Sequence, residues 1–134
     1  MTAFETLQAS DAPVVTAPDG SDVLILLGLP GGGMARFDLA AGRTSLAVTH
    51  RTVDEIWTVI AGSGEMWRRQ GGRESITPLA PGVCLTIPLG THFQFRSLGP
   101  GPLQALAVTM PPWPGPDEAV PVPGQWSLAG GDAA

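Results

Sequence analysis

The chain has 134 residues and a formal net charge of −5, enough for one domain with its own core and too little for a second of ordinary size. The acidic balance argues against nucleic acid and anionic membrane surfaces, both of which recruit excess Lys and Arg. There is no Lys and no Tyr, which excludes lysine Schiff-base chemistry and a phenolic proton donor; the single cysteine, Cys84, excludes an internal disulfide and fits a reducing, cytoplasmic compartment.

The first residues show neither a basic start nor an apolar core, so no secretory leader is expected, and residues 1–20 read as an N-terminal arm with an edge strand at 14–16. The next strands are expected at 23–29, 34–39, 44–50, 55–60, 64–69, 74–79, 83–87, 92–97 and 103–110. Turn signals separate nearly all of them, among them Pro30 to Gly33, Ala41-Gly42, Gly62-Ser63-Gly64, Gly71-Gly72, Pro81-Gly82 and Gly99 to Pro102. The apolar run at 23–29 is far too short to span a bilayer. Residues 111–134 are too proline-rich for a central strand and are expected to form an extended arm, with Trp113 and Trp126 docking on the barrel or a second subunit, and with disorder after Trp126. Ten short strands at this spacing predict an all-β, double-sheet jelly roll, nine of them in a barrel over residues 21–110.

Within it lie two glycine-framed patterns, Gly42-x5-Val48-x-His50-x4-Glu55-x6-Gly62 and Gly82-x5-Pro88-x-Gly90-x2-Phe93-x3-Ser97. Their spacings resemble the two motifs of the cupins, written G-x5-H-x-H-x(3,4)-E-x6-G and G-x5-P-x-G-x2-H-x3-N. The likeness covers about residues 20 to 110 and implies a single cupin barrel, a double-stranded β-helix. In that register two metal-binding histidines have become Val48 and Phe93, and the terminal asparagine has become Ser97. Only His50 and Glu55 match the metal ligands the resemblance implies, so no metal is favoured; the alternative is a single divalent transition metal held by His50, Glu55 and a His92 swung inward by a bulge. Strand parity opposes that slip, which would expel Phe93 and Phe95 from the core.

Alternation places Val48, His50, Glu55, Trp57, Phe93 and Phe95 on one interior surface, an aromatic small-molecule pocket with His50 and Glu55 as its polar pair. Arg51 is expected at the mouth as an anchor for an anionic ligand, Trp67 as a further wall, and Cys84 as a small buried hydrophobe. Burial of Glu55 predicts either a neutral acid or an ion pair with His50. The favoured reading is redox-neutral acid/base catalysis of the isomerase, cyclase or lyase type by His50 and Glu55. Its alternatives are the metal-dependent dioxygenase or metallo-lyase and a non-catalytic binding module, in which the pair is a structural hydrogen bond. A homodimer is expected from the arm and the edge strands.

Overall fold

The computed structural model describes residues 1–17 and 19–128. Eleven strands run in chain order as β1 Val14–Thr16, β2 Asp22–Leu29, β3 Gly32–Leu39, β4 Val48–His50, β5 Asp54–Ala61, β6 Gly64–Gln70, β7 Arg73–Leu79, β8 Cys84–Ile87, β9 His92–Ser97, β10 Leu103–Met110 and β11 Ala119–Pro121. They form two antiparallel sheets, one ordered β1-β2-β3-β10-β5-β8 and the other β11-β4-β9-β6-β7. The crossing connections make this a double-stranded β-helix jelly roll. No helix among the described residues is long and apolar enough to cross a membrane.

Alternation along the strands sets the interior. Trp57 and Val59 on β5, Leu85 and Ile87 on β8, Met66 on β6, Phe93 and Phe95 on β9 and Leu103, Ala105 and Ala107 on β10 are all buried in one cluster. The frame glycines Gly42, Gly62, Gly82 and Gly90 take φ of 79°, 81°, 95° and 87°, a backbone that residues with a Cβ rarely adopt. Gly62 is constrained twice, since a Cβ there would lie 2.4 Å from the Pro102 carbonyl oxygen.

Two expectations need correction. The strand at 44–50 shortens to Val48–His50, although Thr44 still bridges Arg96 and the Ser45 N–H still reaches the Phe95 carbonyl at 2.8 Å. The ladder breaks because the Phe95 N–H goes to Ser45 Oγ at 3.0 Å and the Leu46 N–H to the Asp19 carbonyl oxygen at 2.8 Å. Cys84 is exposed rather than buried. With Leu85 and Ile87 inward, a period of two sends Cys84 out, where its thiol lies 3.4 Å from Thr58 Oγ1.

The proline-rich arm is tied to the barrel. Ala119–Pro121 adds a strand to the edge of β4, pairing Ala119 with His50 and Pro121 with Val48, an edge position that tolerates proline. Further on, the Gln94 side chain donates to the Trp126 carbonyl at 3.0 Å and accepts from the Trp126 N–H at 2.9 Å, while Arg96 sits 4.3 Å above the Trp126 ring. The disorder expected after Trp126 concerns mainly residues outside the described ones.

Candidate active site

A cavity of about 520 Å³ opens between the sheets and is lined by Val48, His50, Glu55, Trp57 and Phe93 from the barrel, together with Asp19, Phe37, Thr109 and Trp113. Each strand contributes through parity: Val48 pairs with Phe93 across β4 and β9, and Glu55 pairs with Thr109 across β5 and β10. Phe37 stacks on Trp57 at 5.3 Å. The His50 ring meets Phe93 edge-on at 5.1 Å and Trp113 edge-on at 5.1 Å.

The polar centre is His50 and Glu55, 6% and 2% exposed. His50 Nδ1 lies 3.7 Å from Glu55 Oε1 and is buried without a hydrogen-bond partner. Glu55 Oε2 accepts the indole N–H of Trp57. Desolvation holds the Glu55 pKa up at about 8, against a lowering by the Trp57 bond, and nearby Asp19 pushes it the same way as burial. Desolvation drives the His50 pKa down to about 4, with the charge of Glu118 pulling it partly back. At neutral pH the two face each other as a carboxylic acid and a neutral imidazole, not as an ion pair. Because Oε2 receives the indole proton, the acidic proton belongs on Oε1, the oxygen turned toward His50.

Two further groups were invisible as site residues in the sequence. Asp19, in the β1–β2 loop, is 7% exposed; Ser21 donates to its Oδ1 through the backbone N–H at 3.0 Å and the hydroxyl at 2.6 Å. Burial raises its pKa, with those bonds opposing. An Asp-Gly-Ser stretch ordinarily reads as a solvated turn. Glu118, buried in the arm, accepts from the Thr52 N–H and hydroxyl at 2.6 Å each and from the Val53 N–H at 3.1 Å. Desolvation would raise its pKa, but these bonds outweigh burial and hold it below the usual carboxylate range.

Three residues expected on the cavity wall lie elsewhere. Arg51 is exposed, and its Nε donates to the Asp117 carbonyl at 2.8 Å, tying down the arm. Trp67 is buried on the opposite face of its strand from Met66, with its Nε1 donating to Glu74 at 2.8 Å. Phe95 points inward but packs in the core, edge-on to Trp57 at 4.9 Å. His92 pairs with Thr49 and Arg69 on β4 and β6 while Phe93 keeps the interior position, so the bulge that would bring His92 inward does not form. The donor set does not fit a transition-metal centre: Val48 and Phe93 fill ligand positions with hydrocarbon, and among the described residues no three His, Cys, Asp or Glu groups converge on one point.

This architecture, two sheets wound as a double-stranded β-helix around an inward histidine and glutamate, is the cupin fold. No family model and no curated protein matches the sequence. Among solved structures, Streptomyces Pac13 with uridine is similar at 14% identity and a TM-score of 0.69, over 91% of this chain and 92% of that one; Pac13 is described as a nucleoside dehydratase. KdgF from Halomonas sp. is similar at 18% identity and TM-score 0.67, over 80% and 94%. A predicted oxalate decarboxylase from Thermotoga maritima is similar at 18% and 0.66, over 79% and 98%.

Proposed function

We propose that this protein is a metal-independent acid/base enzyme acting on a small molecule in the barrel cavity, of the lyase, isomerase or cyclase type, with His50 as base and Glu55 as acid. One observation carries the reading: a neutral imidazole whose Nδ1 lacks a hydrogen bond lies 3.7 Å from a carboxyl that burial keeps protonated, both lining a cavity. In an elimination, His50 takes a proton from the substrate carbon next to the one bearing the leaving hydroxyl, the electron pair of that C–H bond forms the new π bond, and Glu55 protonates the departing oxygen, which leaves as water. The pair is left as imidazolium and carboxylate, and transfer of one proton between them restores the starting state. Isomerisation uses the same two proton positions with no group lost. The likeness to a nucleoside dehydratase supports the lyase form.

A cytoplasmic setting and a homodimer belong to the same proposal. The free thiol of exposed Cys84 supports the first, and the exposed edge residues Val14 and Val15 support the second.

The test is incubation of the protein with nucleosides, sugars and hydroxy acids in deuterated water, followed by mass spectrometry for loss of water or gain of deuterium. His50→Gln and Glu55→Gln should each lower turnover at least about a hundredfold with folding intact. Full activity in both variants would overturn the assignment.

A further inference from the structure

The cavity has acidic and aromatic walls and, among the described residues, no cation on its lining. The sequence has no Lys, and its arginines are engaged elsewhere. Arg36 pairs with Asp38 at 2.9 Å, Arg96 with Glu65 at 2.5 Å, Arg51 holds the arm, and Arg68 and Arg73 line a separate polar cleft. A phosphate or carboxylate inside the cavity would therefore meet Asp19 and Glu55 with no counter-charge in a desolvated space, the costly case for a buried ion. A ligand cation could pair only with Asp19, since Glu55 is uncharged at neutral pH, and a single buried pair need not repay the desolvation of both ions.

What the cavity offers instead is an array of hydrogen-bonding groups facing flat apolar surfaces. Both Ser21 bonds to Asp19 arrive at Oδ1, leaving Oδ2 for a ligand donor. Thr109, half of a cross-strand pair with Glu55, adds a hydroxyl on the same wall. Beside these lie the buried rings of Trp57, already stacked on Phe37, and Phe93, while Trp113 is 39% exposed and offers an indole against which a ring can stack. The volume, about 520 Å³, falls in the range that holds a compound of one or two rings.

We propose that the substrate is an uncharged ring compound bearing several hydroxyls, a nucleoside or glycoside without phosphate or carboxylate, and that Asp19 selects it by accepting a hydroxyl proton at Oδ2. Calling this ligand a substrate rests on the acid/base reading; its binding does not. Asp19 is thus a specificity residue and takes no part in the proton transfers.

The experiment is titration of the full chain with uridine, a panel of neutral nucleosides and methyl glycosides, uridine 5′-monophosphate and a 5′-amino analogue of uridine, followed by calorimetry and by the indole signals of Trp57 and Trp113. At least one neutral member should bind saturably and shift both indoles. The phosphate and the amine should each bind at least about tenfold more weakly than the neutral parent, and Asp19→Asn should weaken the neutral ligand by about tenfold, the scale of one lost hydrogen bond. The proposal is overturned if no neutral compound binds, if either charged analogue matches its neutral parent in the cavity, or if a folded Asp19→Asn binds as well as the parent protein. The comparison of charged and neutral ligands needs no variant, so it stands even where Asp19→Asn does not fold. Failure of the acid/base reading looks different: neutral ligands bind, Asp19 matters, and no turnover is found.

Discussion

His50 and Glu55 are pushed in opposite directions by the same desolvation, and the order of their pKa values decides how the pair can work. The base, near 4, lies below the acid, near 8, so neutral imidazole with protonated carboxyl is the dominant form across the interval between them. Once a substrate is in hand, kcat/KM should rise through a pH of about 4 and fall through about 8. Stability follows the same groups with separate signs. Glu55 keeps its proton in the fold above its ordinary value of 4.5, so its stabilising effect is complete below 4.5 and lost as pH rises toward 8. His50 resists protonation in the fold, so its contribution is present above its ordinary 6.5 and lost as pH falls toward 4. Between 4.5 and 6.5 the two slopes cancel; from 6.5 to 8 Glu55 acts alone, and the protein should lose about 2 kcal/mol there through this group. Urea unfolding across that range should show a decline that Glu55→Gln removes. Equal slopes in the two proteins would mean that Glu55 is ionised in the fold.

At the scale of elements, the arm completes a site that the barrel leaves open. Glu118 holds the two N–H groups after β4 and supplies the charge that partly offsets His50's desolvation. Glu118→Ala strands those donors, so it should cost about 2 kcal/mol in thermal or urea unfolding and lower the His50 pKa further, which NMR titration of the imidazole would register. The barrel itself was legible because glycine and alternation are local signals. Gly42 and Gly62 mark turns that need positive φ, and period two puts Val48, His50, Glu55, Trp57 and Phe93 on one wall from a few residues of context. The same rule applied to Leu85 and Ile87 would have turned Cys84 outward, and applied to Met66 it would have moved Trp67 off the wall. Asp19 and Glu118 had no such cue, and Trp113, expected to dock on the barrel or a second subunit, gave no sign that it would meet His50. Asp19 and Trp113 reach the cavity from a loop and from an arm far along the chain, Glu118 binds the backbone just after β4, and only the tertiary path of the chain brings them there.

Over the whole molecule, the arm lies on its own barrel through Trp113, β11 and the Gln94 clamp, so it no longer argues for a second subunit. What supports a homodimer is the apolar rim: Val15, Ile25, Leu27 and Met34 line the cavity mouth yet stand 37–47% exposed beside the unpaired edge of β1. Light scattering should return twice the chain mass, and Val15→Lys should shift it toward the monomer; a monomeric parent protein would remove the idea. Elemental analysis should find well under one equivalent of transition metal, and a stoichiometric metal lost in His92→Ala would reverse the reading of the donor set.

The order of elements along the chain has one more effect. Trp113, Glu118 and β11 all lie in the arm that follows β10. Trp113 meets the His50 ring edge-on at 5.1 Å and β11 pairs Ala119 with His50, so detachment of the arm would open the imidazole side of the pair to water. A hydrated imidazole loses the desolvation that holds its pKa down, so a segment far along the chain sets how firmly the base stays unprotonated.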